Sequence, residues 1–365
     1  MKILHFIYGL SIGGAETFLL NMLSAIDTSI FSFGFAIQNS EIKNESLYKL
    51  IRDNNWPIHV IPQFNKAPIA HFKAIKKLLK EGHYDAIHIH MNAIINPLPL
   101  IAAKRLRIKT FIHSHSTSPG MSRQTLGKLI HNFNKRTFIH NQNLLACSQE
   151  AGRWMFDHRS FKIIYNAVDI ERFLFSETLR RRIRELSSIP NSSITIGSVG
   201  RLTPPKNHFF IIGLFNEFLK THSDSRLLLV GDGPLRTELE NSVKDLGISD
   251  NVIFIGAKEN PEEYYSAFDL FLFPSQWEGI GFTAIEAQTS GLPIIASDCI
   301  PKVFDVFSET RFLGLESPLS EWVKAMEIAI TQWNSKDRVA LGKRMLKTNF
   351  NIQNSVKQLE KIYLS

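Results

Sequence analysis

Cysteine is almost absent from this 365-residue chain: Cys147 and Cys299 stand far apart and without metal-ligand spacing. That excludes a disulfide framework and a thiolate zinc site, and it fits a reducing compartment. The 13 histidines fall in no His-x-x-x-His frame, so no structural metal is expected. Long apolar runs are missing too. The longest candidate, 93–103, is interrupted by Asn96, Pro97 and Pro99, well short of the roughly 20 residues that span a bilayer. Lys2 and the apolar run Ile3 to Leu10 have the outline of a signal peptide. Gly13-Gly14-Ala15-Glu16 and an amphipathic stretch follow at once, with no cleavage site, so a first core strand and a cytoplasmic protein are expected. The turn after that strand lacks the Gly-x-Gly-x-x-Gly pattern of dinucleotide binding, which disfavours a dehydrogenase. Acidic residues are outnumbered, 34 against 42 Lys and Arg, giving a formal charge of +8. An anionic partner is implied: nucleic acid, lipid head groups or a phosphorylated substrate. No helix-turn-helix, RNP or zinc-finger pattern is present, so nucleic acid is not expected.

What is present reads as packed protein. Apolar residues make up 44% and charged residues 21%, with five Trp and 27 Phe, a globular composition. The length exceeds what one core usually organises, so two domains with a cleft are expected. Short apolar runs alternate with amphipathic ones, the grammar of a parallel sheet wound with helices. In the first half the strand candidates are 2–8, 33–38, 58–61, 86–90, 109–113 and 144–147, with helices at 15–26 and 71–80. In the second half they are 194–200, 226–231, 252–255, 270–274 and 293–297, with helices at 208–221, 234–246, 261–268 and 283–290. The expected division is a domain over 1–170, a polar, arginine-rich linker over 171–190, a second domain over 191–342, and a terminal helix from 343 that packs back on the first domain.

The chemistry concentrates after the strand 270–274. Ser275-Gln276-Trp277-Glu278-Gly279-Ile280-Gly281-Phe282-Thr283-Ala284-Ile285-Glu286-Ala287 leads into Gly291-Leu292-Pro293. A strand ending at proline, a glycine loop and a helix start can aim backbone N–H groups at an anion. Glu278 and Glu286 would flank that ligand as acceptors for hydroxyls, so donors for phosphate and acceptors for sugar or ribose fall together. Thr283-x-x-Glu286 is also a capping box, and Glu278 alone would pass as a solvated loop charge. Further candidates are Arg201 and Lys206 after the strand 194–200, Gly13-Gly14 at the first turn, and His113-Ser114-His115 at the end of a strand in the first half.

Glu278 and Glu286, with seven residues between them and Gly291-Leu292-Pro293 following, resemble the E-x7-E motif of retaining GT-B glycosyltransferases (glycosyl transferases group 1, family 4). The resemblance covers nearly the whole chain. Ile12-Gly13-Gly14-Ala15-Glu16 is similar to the family's N-terminal glycine loop. Ile164-Tyr165-Asn166-Ala167-Val168-Asp169 is similar to its interdomain segment, with Ala167 where many members have Gly. Val199-Gly200-Arg201-Leu202 with Lys206-Asn207 is similar to its pyrophosphate-binding strand end. Leu229-Val230-Gly231-Asp232-Gly233-Pro234 matches a further landmark, structural in kind. The resemblance implies an α/β protein of GT-B architecture, two Rossmann-like domains facing each other across a cleft. It also implies a metal-independent, retaining transferase moving a hexose or N-acetylhexosamine from a nucleotide-diphosphate sugar, UDP-linked by expectation, to a glycan acceptor, in capsular or exopolysaccharide synthesis.

By the same resemblance Arg201 and Lys206 hold the diphosphate in place of a metal, consistent with the absence of any Asp-x-Asp. Glu278 binds the donor sugar and Glu286 the ribose, with Gly14, Gly279, Ile280, Gly281 and Phe282 around the donor. His113 is the first choice for the histidine on the donor sugar, with His115 as the other candidate. Gly13, Glu16 and His115 are expected on the acceptor side. No protein nucleophile and no cofactor are implied. The basic amphipathic stretches 71–80, 104–109 and 123–140 would suit an anionic membrane surface and a lipid-linked acceptor, or equally a core-packed helix with a solvated basic face. Two other readings stay open: an epimerase or hydrolase on the same scaffold, and a catalytically silent nucleotide-sugar-binding partner in a membrane assembly.

Overall fold

Runs rich in Ile, Leu, Val and Phe, buried on both faces, become parallel strands because each face is roofed by a helix. The computed structural model describes residues 1–11, 13–116, 124–139, 142–258, 260–278 and 281–365. It divides into one unit made of Met1–Ala167 and Ile352–Ser365 and another made of Val168–Asn351. The first holds β1 (Lys2–Ile7), β2 (Ser32–Ile37), β3 (Ile58–Val60), β4 (Ala86–Met91), β5 (Lys109–Ser114), β6 (Asn143–Ala146) and β7 (Lys162–Ile163), ordered β3-β2-β1-β4-β5-β6-β7. The second holds β8 (Thr195–Val199), β9 (Arg226–Val230), β10 (Val252–Gly256), β11 (Leu270–Phe273), β12 (Ile294–Ser297) and β13 (Arg311–Leu313), ordered β10-β9-β8-β11-β12-β13. Both orders reverse beside the first strand of their sheet, between β1 and β4 and between β8 and β11. Crevices at such switch points are where doubly wound sheets take ligands.

Each unit has its own core. In the first, Phe18, Leu19, Met22 and Leu23 of the helix Gly14–Ala25 meet Ile352, Val356, Leu359, Ile362 and Tyr363 of the last helix, Ile352–Leu364, over β1 and β2. The spacing of those five residues is one helical stripe. In the second, Phe215 and Phe218 of the helix His208–Leu219 and Trp322 and Met326 of the helix Leu319–Trp333 cover β8, β9 and β11. Gly231, after β9, fits where nothing larger could: a Cβ there would lie 1.9 Å from the carbonyl oxygen of Gly200. That contact explains the Gly231-Asp232-Gly233 landmark as a joint between the ends of β8 and β9. No helix among the described residues is long and apolar enough to cross a membrane.

The structure corrects the expected division in two places. Residues 171–190 are part of the second unit and not a linker. The arginines that make this stretch look polar are its anchors: Arg180 and Arg184, on the helix Glu177–Leu186, each donate to Asp269 at 2.6 Å. Arg184 keeps only 1% of its surface exposed. The last helix begins at Ile352, not at 343. Helix Arg338–Lys343 and a 3-10 turn, Arg344–Lys347, belong to the second unit, and the chain then leaves helical geometry. Thr348 Oγ1 donates to the Met345 carbonyl at 2.7 Å and Asn351 Nδ2 to the Leu346 carbonyl at 3.0 Å. Those side chains satisfy the turn's last carbonyls and end it. β7 and β13, two and three residues long, lie at sheet edges and are too short for periodicity to reveal.

Candidate active site

The ends of β8 and β11 are neighbours across the switch point of the second sheet, so the two loops that follow them converge. Gln276 N–H donates to the Pro205 carbonyl at 2.8 Å, which ties one loop to the other. Lys206 closes a 3-10 turn, Pro204–Lys206, and its ammonium reaches Glu278 Oε1 at 2.6 Å. Both side chains are largely covered, at 24% and 12% exposure. The Lys206 ammonium also lies 5.5 Å from the centre of the Phe273 ring. Arg201, by contrast, is exposed and has no side-chain partner among the described residues. A cation held by a carboxylate therefore stands near a second cation open to solvent.

The helix Phe282–Thr289 starts at Gly281, whose φ of 82° places it in the left-handed region that favours glycine. A Cβ at Gly281 would also press within 2.9 Å of the Phe273 ring. Gly281, not Thr283, is the N-cap, and no side chain caps the helix. The capping-box account of Thr283 and Glu286 therefore falls. Glu286 instead accepts a hydrogen bond from Tyr265 Oη at 2.5 Å. Burial pushes the Glu286 carboxyl up to about 7, and the nearby Glu262 carboxylate pushes the same way. The Tyr265 hydroxyl, then the charges of Lys206 and Arg172, pull it back. Burial and Glu286 together hold the Tyr265 phenol well above its ordinary value. Glu262 is itself bound by Arg172 at 2.5 Å. Glu286 is thus poised to change charge near neutrality, within the field of Lys206.

In the first unit the alternation of β4 and β5 puts His88 and His90, and His113 and His115, on one face, since residues two apart in a strand point the same way. Parallel register sets His5 beside His88 and His90 beside His113. Five imidazoles therefore pack under Phe18 and Tyr363. His113 is fully buried, with the Phe18 ring edge-on at 4.7 Å. Neither of its ring nitrogens has a partner among the described residues. His115, stacked on it at 4.2 Å, is only half-buried. Burial lowers the pKa of all five, to about 3 for His5 and His115, and it is reinforced for His88, His90 and His113 by their neighbouring rings. Gly13 caps the helix Gly14–Ala25 without a side chain, and Glu16 turns back over it. Glu16 accepts from Ser11 Oγ at 2.7 Å, and a Cβ on Gly13 would meet Glu16 Oε2 at 2.7 Å. The space around a Cβ on Gly14 is open.

The second unit thus brings together Lys206, Glu278, Gly281, Phe282 and Glu286, with Arg201 exposed in the same β8 loop. The first unit brings together His113 and His115 on one face, and Gly13 and Glu16 at one helix start. His113, the preferred histidine, has no surface with which to touch a sugar while Phe18 covers it; His115 has some. Glu16, expected on the acceptor side, is buried and bonded to Ser11. Gly279, Ile280, Ile12, Arg123 and His140 lie outside the described residues. Sequence reasoning missed Tyr265, Glu262 and Arg172, which set the ionisation of Glu286. The available signal was Glu262-Glu263-Tyr264-Tyr265, two carboxylates and two hydroxyls one helical turn ahead of a strand.

Two family profiles match, Glycosyltransferase Family 4 over residues 12–172 and Glycosyl transferases group 1 over residues 180–345. The two consecutive regions fall within different structural units for nearly all their length. Among similar curated proteins is EpsF of Bacillus subtilis (strain 168), designated a glycosyltransferase, 27% identical with 99% of this chain and 96% of EpsF covered. Another is the UDP-Gal:alpha-D-GlcNAc-diphosphoundecaprenol alpha-1,3-galactosyltransferase of Escherichia coli, 25% identical over 80% of this chain and 78% of its own. Among solved structures, Anabaena HepE in complex with UDP superposes with a TM-score of 0.82 at 20% identity, covering 100% of both chains. The lipopolysaccharide glycosyltransferase WaaG does so with 0.73 at 15%, covering 99% of this chain and 98% of its own. The profiles, the relatives and the two doubly wound sheets agree: the chain is a glycosyltransferase and belongs to the GT-B family of group 1 glycosyl transferases.

Proposed function

We propose that the protein is a retaining hexosyl- or N-acetylhexosaminyltransferase that uses a UDP-sugar and acts on a lipid-linked glycan during surface polysaccharide synthesis. The observation that carries this reading is the convergence of Lys206, Glu278 and Glu286, with Arg201 nearby, at the carboxyl ends of β8 and β11. Arg201 and Lys206 take the diphosphate and neutralise the charge that grows as it leaves, so the transfer itself needs no metal ion. When the donor enters, Lys206 exchanges Glu278 for phosphate, and Glu278 turns to a hydroxyl of the sugar. Glu286 accepts from the ribose hydroxyls. The bond from the anomeric carbon to the β-phosphate oxygen breaks, the acceptor oxygen bonds that carbon on the same face, and the acceptor's proton passes to the departing phosphate. No side chain serves as nucleophile.

The lipid-linked acceptor draws support from relatives whose names carry diphospho-undecaprenol, the galactosyltransferase above and an N-acetylgalactosaminyltransferase of Campylobacter jejuni. It also draws support from the helix Gln124–Phe138. Leu126, Leu129 and Phe133 are exposed on it at 52%, 63% and 68%, beside exposed Lys128 and Arg136. Lys73, Lys76, Lys77 and Lys80 are exposed along the helix Pro68–Glu81. Apolar side chains with cations alongside suit peripheral contact with an anionic membrane from the cytoplasmic side. Thermal shift and calorimetry against UDP, GDP, ADP and their sugars, in chelator, test the reading. Selective stabilisation by UDP or one UDP-sugar, weakened in Arg201→Ala, is expected. Absence of nucleotide binding under all conditions would point to a silent partner instead.

A further inference from the structure

We propose that His90, His113 and His115 form a three-imidazole site for a borderline divalent transition-metal ion, zinc being the natural candidate, inside the first domain. The inference does not rest on the donor chemistry of the second domain. It departs from the expectation of no structural metal, which rests on the absence of a helical His-x-x-x-His frame; in a strand the matching frame is His-x-His, because residues two apart share a face. β4 carries one such pair, and the end of β5 with the residue after it carries the other, in adjacent register. One nitrogen from each of His90, His113 and His115 lies within 4.8 Å of the others.

Three observations favour an ion over a plain aromatic core. Both nitrogens of buried His113 and Nδ1 of His115 have no partner among the described residues. Buried polar atoms seldom stay so, and an unfilled ion position is one standing explanation. His90 Nδ1 and His115 Nε2 face each other at 2.9 Å. Replacing the shared proton by a metal needs that separation to open only to about 3.3 Å, the edge of a tetrahedron with bonds near 2.05 Å. His90 is also held from behind, its Nε2 lying 2.9 Å from His5 Nδ1. With the proton on Nε2 donated to His5, the Nδ1 lone pair points at the site, which is how outer partners fix a ligating imidazole. An all-imidazole set suits zinc, cobalt or nickel and not magnesium or calcium. His115, half-buried, gives the ion its way in, and water completes the coordination.

The test uses tag-free, full-length protein, stripped with chelator and titrated with Zn²⁺ and with Co²⁺ at pH 7.5. One equivalent should bind, raise the melting temperature, and give cobalt the intense visible bands of a four-coordinate nitrogen site. His115→Gln, at the edge of the cluster, should weaken binding at least tenfold without disturbing the circular dichroism. His5→Gln, which removes only the outer partner, should weaken it by roughly 10–100-fold. No saturable binding at tens of micromolar Zn²⁺, equal binding of Mg²⁺, or binding untouched by either variant would each overturn the proposal. UDP affinity, measured in parallel, should not change on stripping; its loss would count against the donor reading and leave the metal result separate.

Discussion

The two domains wind their sheets in the same order yet furnish the strand ends with opposite chemistry. In the second domain stand full charges, several answered by another: Lys206 by Glu278 past the ends of β8 and β11, Glu262 by Arg172, and Arg180 with Arg184 by Asp269 just before β11. Along β1, β4 and β5 stand uncharged rings, several with nitrogens that nothing among the described residues answers. The difference follows from where the side chains sit. Lys206 and Glu278 lie in the loops past the last residues of β8 and β11, where a charged ligand can arrive. The rings of the first domain lie on the sheet itself, under Phe18 and Tyr363, where a charge would have to shed its water and burial keeps an imidazole neutral.

Breaking the charged side of that contrast should have the largest effect. Lys206→Ala leaves Glu278 without its cation and removes a charge from the departing phosphate. Transfer should fall by roughly 10²–10³-fold with the fold intact, as read by turnover and melting temperature; near-normal turnover would refute the role given to Lys206. Next comes the buried pairing. Asp269→Ala strands Arg184, only 1% exposed, and should cost about 3–5 kcal/mol in urea denaturation of the second domain. A loss under 1 kcal/mol would mean the arginines find carbonyl partners sufficient by themselves.

The third prediction concerns pH. Glu286 titrates near 7 in the folded protein against an ordinary 4.5, so the folded state holds its proton more tightly than the unfolded one. Its contribution to stability is complete below about pH 4.5 and is lost as pH rises through 7. Between pH 6 and pH 8 the second domain should lose about 1.4 kcal/mol from this group alone, and Glu286→Gln should flatten that slope. Nucleotide affinity runs the other way. Ribose hydroxyls donate to the carboxylate form, so binding should release a proton and strengthen by up to about tenfold over the same interval. Calorimetry in two buffers of different ionisation enthalpy measures the proton; none released near pH 7 would remove Glu286 from the ribose.

Most of this was legible in the sequence, and the rest was hidden for physical reasons. β1, β2, β4, β5 and β8 to β12 show as apolar runs because strands covered on both faces must be apolar throughout. The E-x7-E spacing singled out Glu278 and Glu286 because one lies in the loop after β11 and the other one turn into the helix Phe282–Thr289. The charge network around Glu286 stayed hidden, since Arg172, Glu262 and Tyr265 are distant from it in sequence and meet it only through packing. Arg180 and Arg184 misled, because arginines in a polar run look the same whether solvated or anchored to Asp269. The histidines misled in the other direction: a histidine at a strand end reads as a ligand contact, yet His113 is fully buried.

The smallest effect is the one that best separates the two kinds of site. Tyr265 Oη donates to Glu286 Oε2, and a donor to the ionised form lowers a carboxyl's pKa. Tyr265→Phe removes that donor while keeping the ring that packs against Phe173 and Phe271. The fold should lose about 1 kcal/mol or less, and Glu286 should titrate higher, moving the midpoint of the pH dependence of UDP binding up by about one unit. The direction is informative because mere loosening of the helix would admit water, relieve burial and move the midpoint down. An upward shift means that one neutral hydroxyl, buried and aimed, holds Glu286 within reach of neutral pH. An unmoved midpoint would leave the field of Lys206 and Arg172 as what sets it.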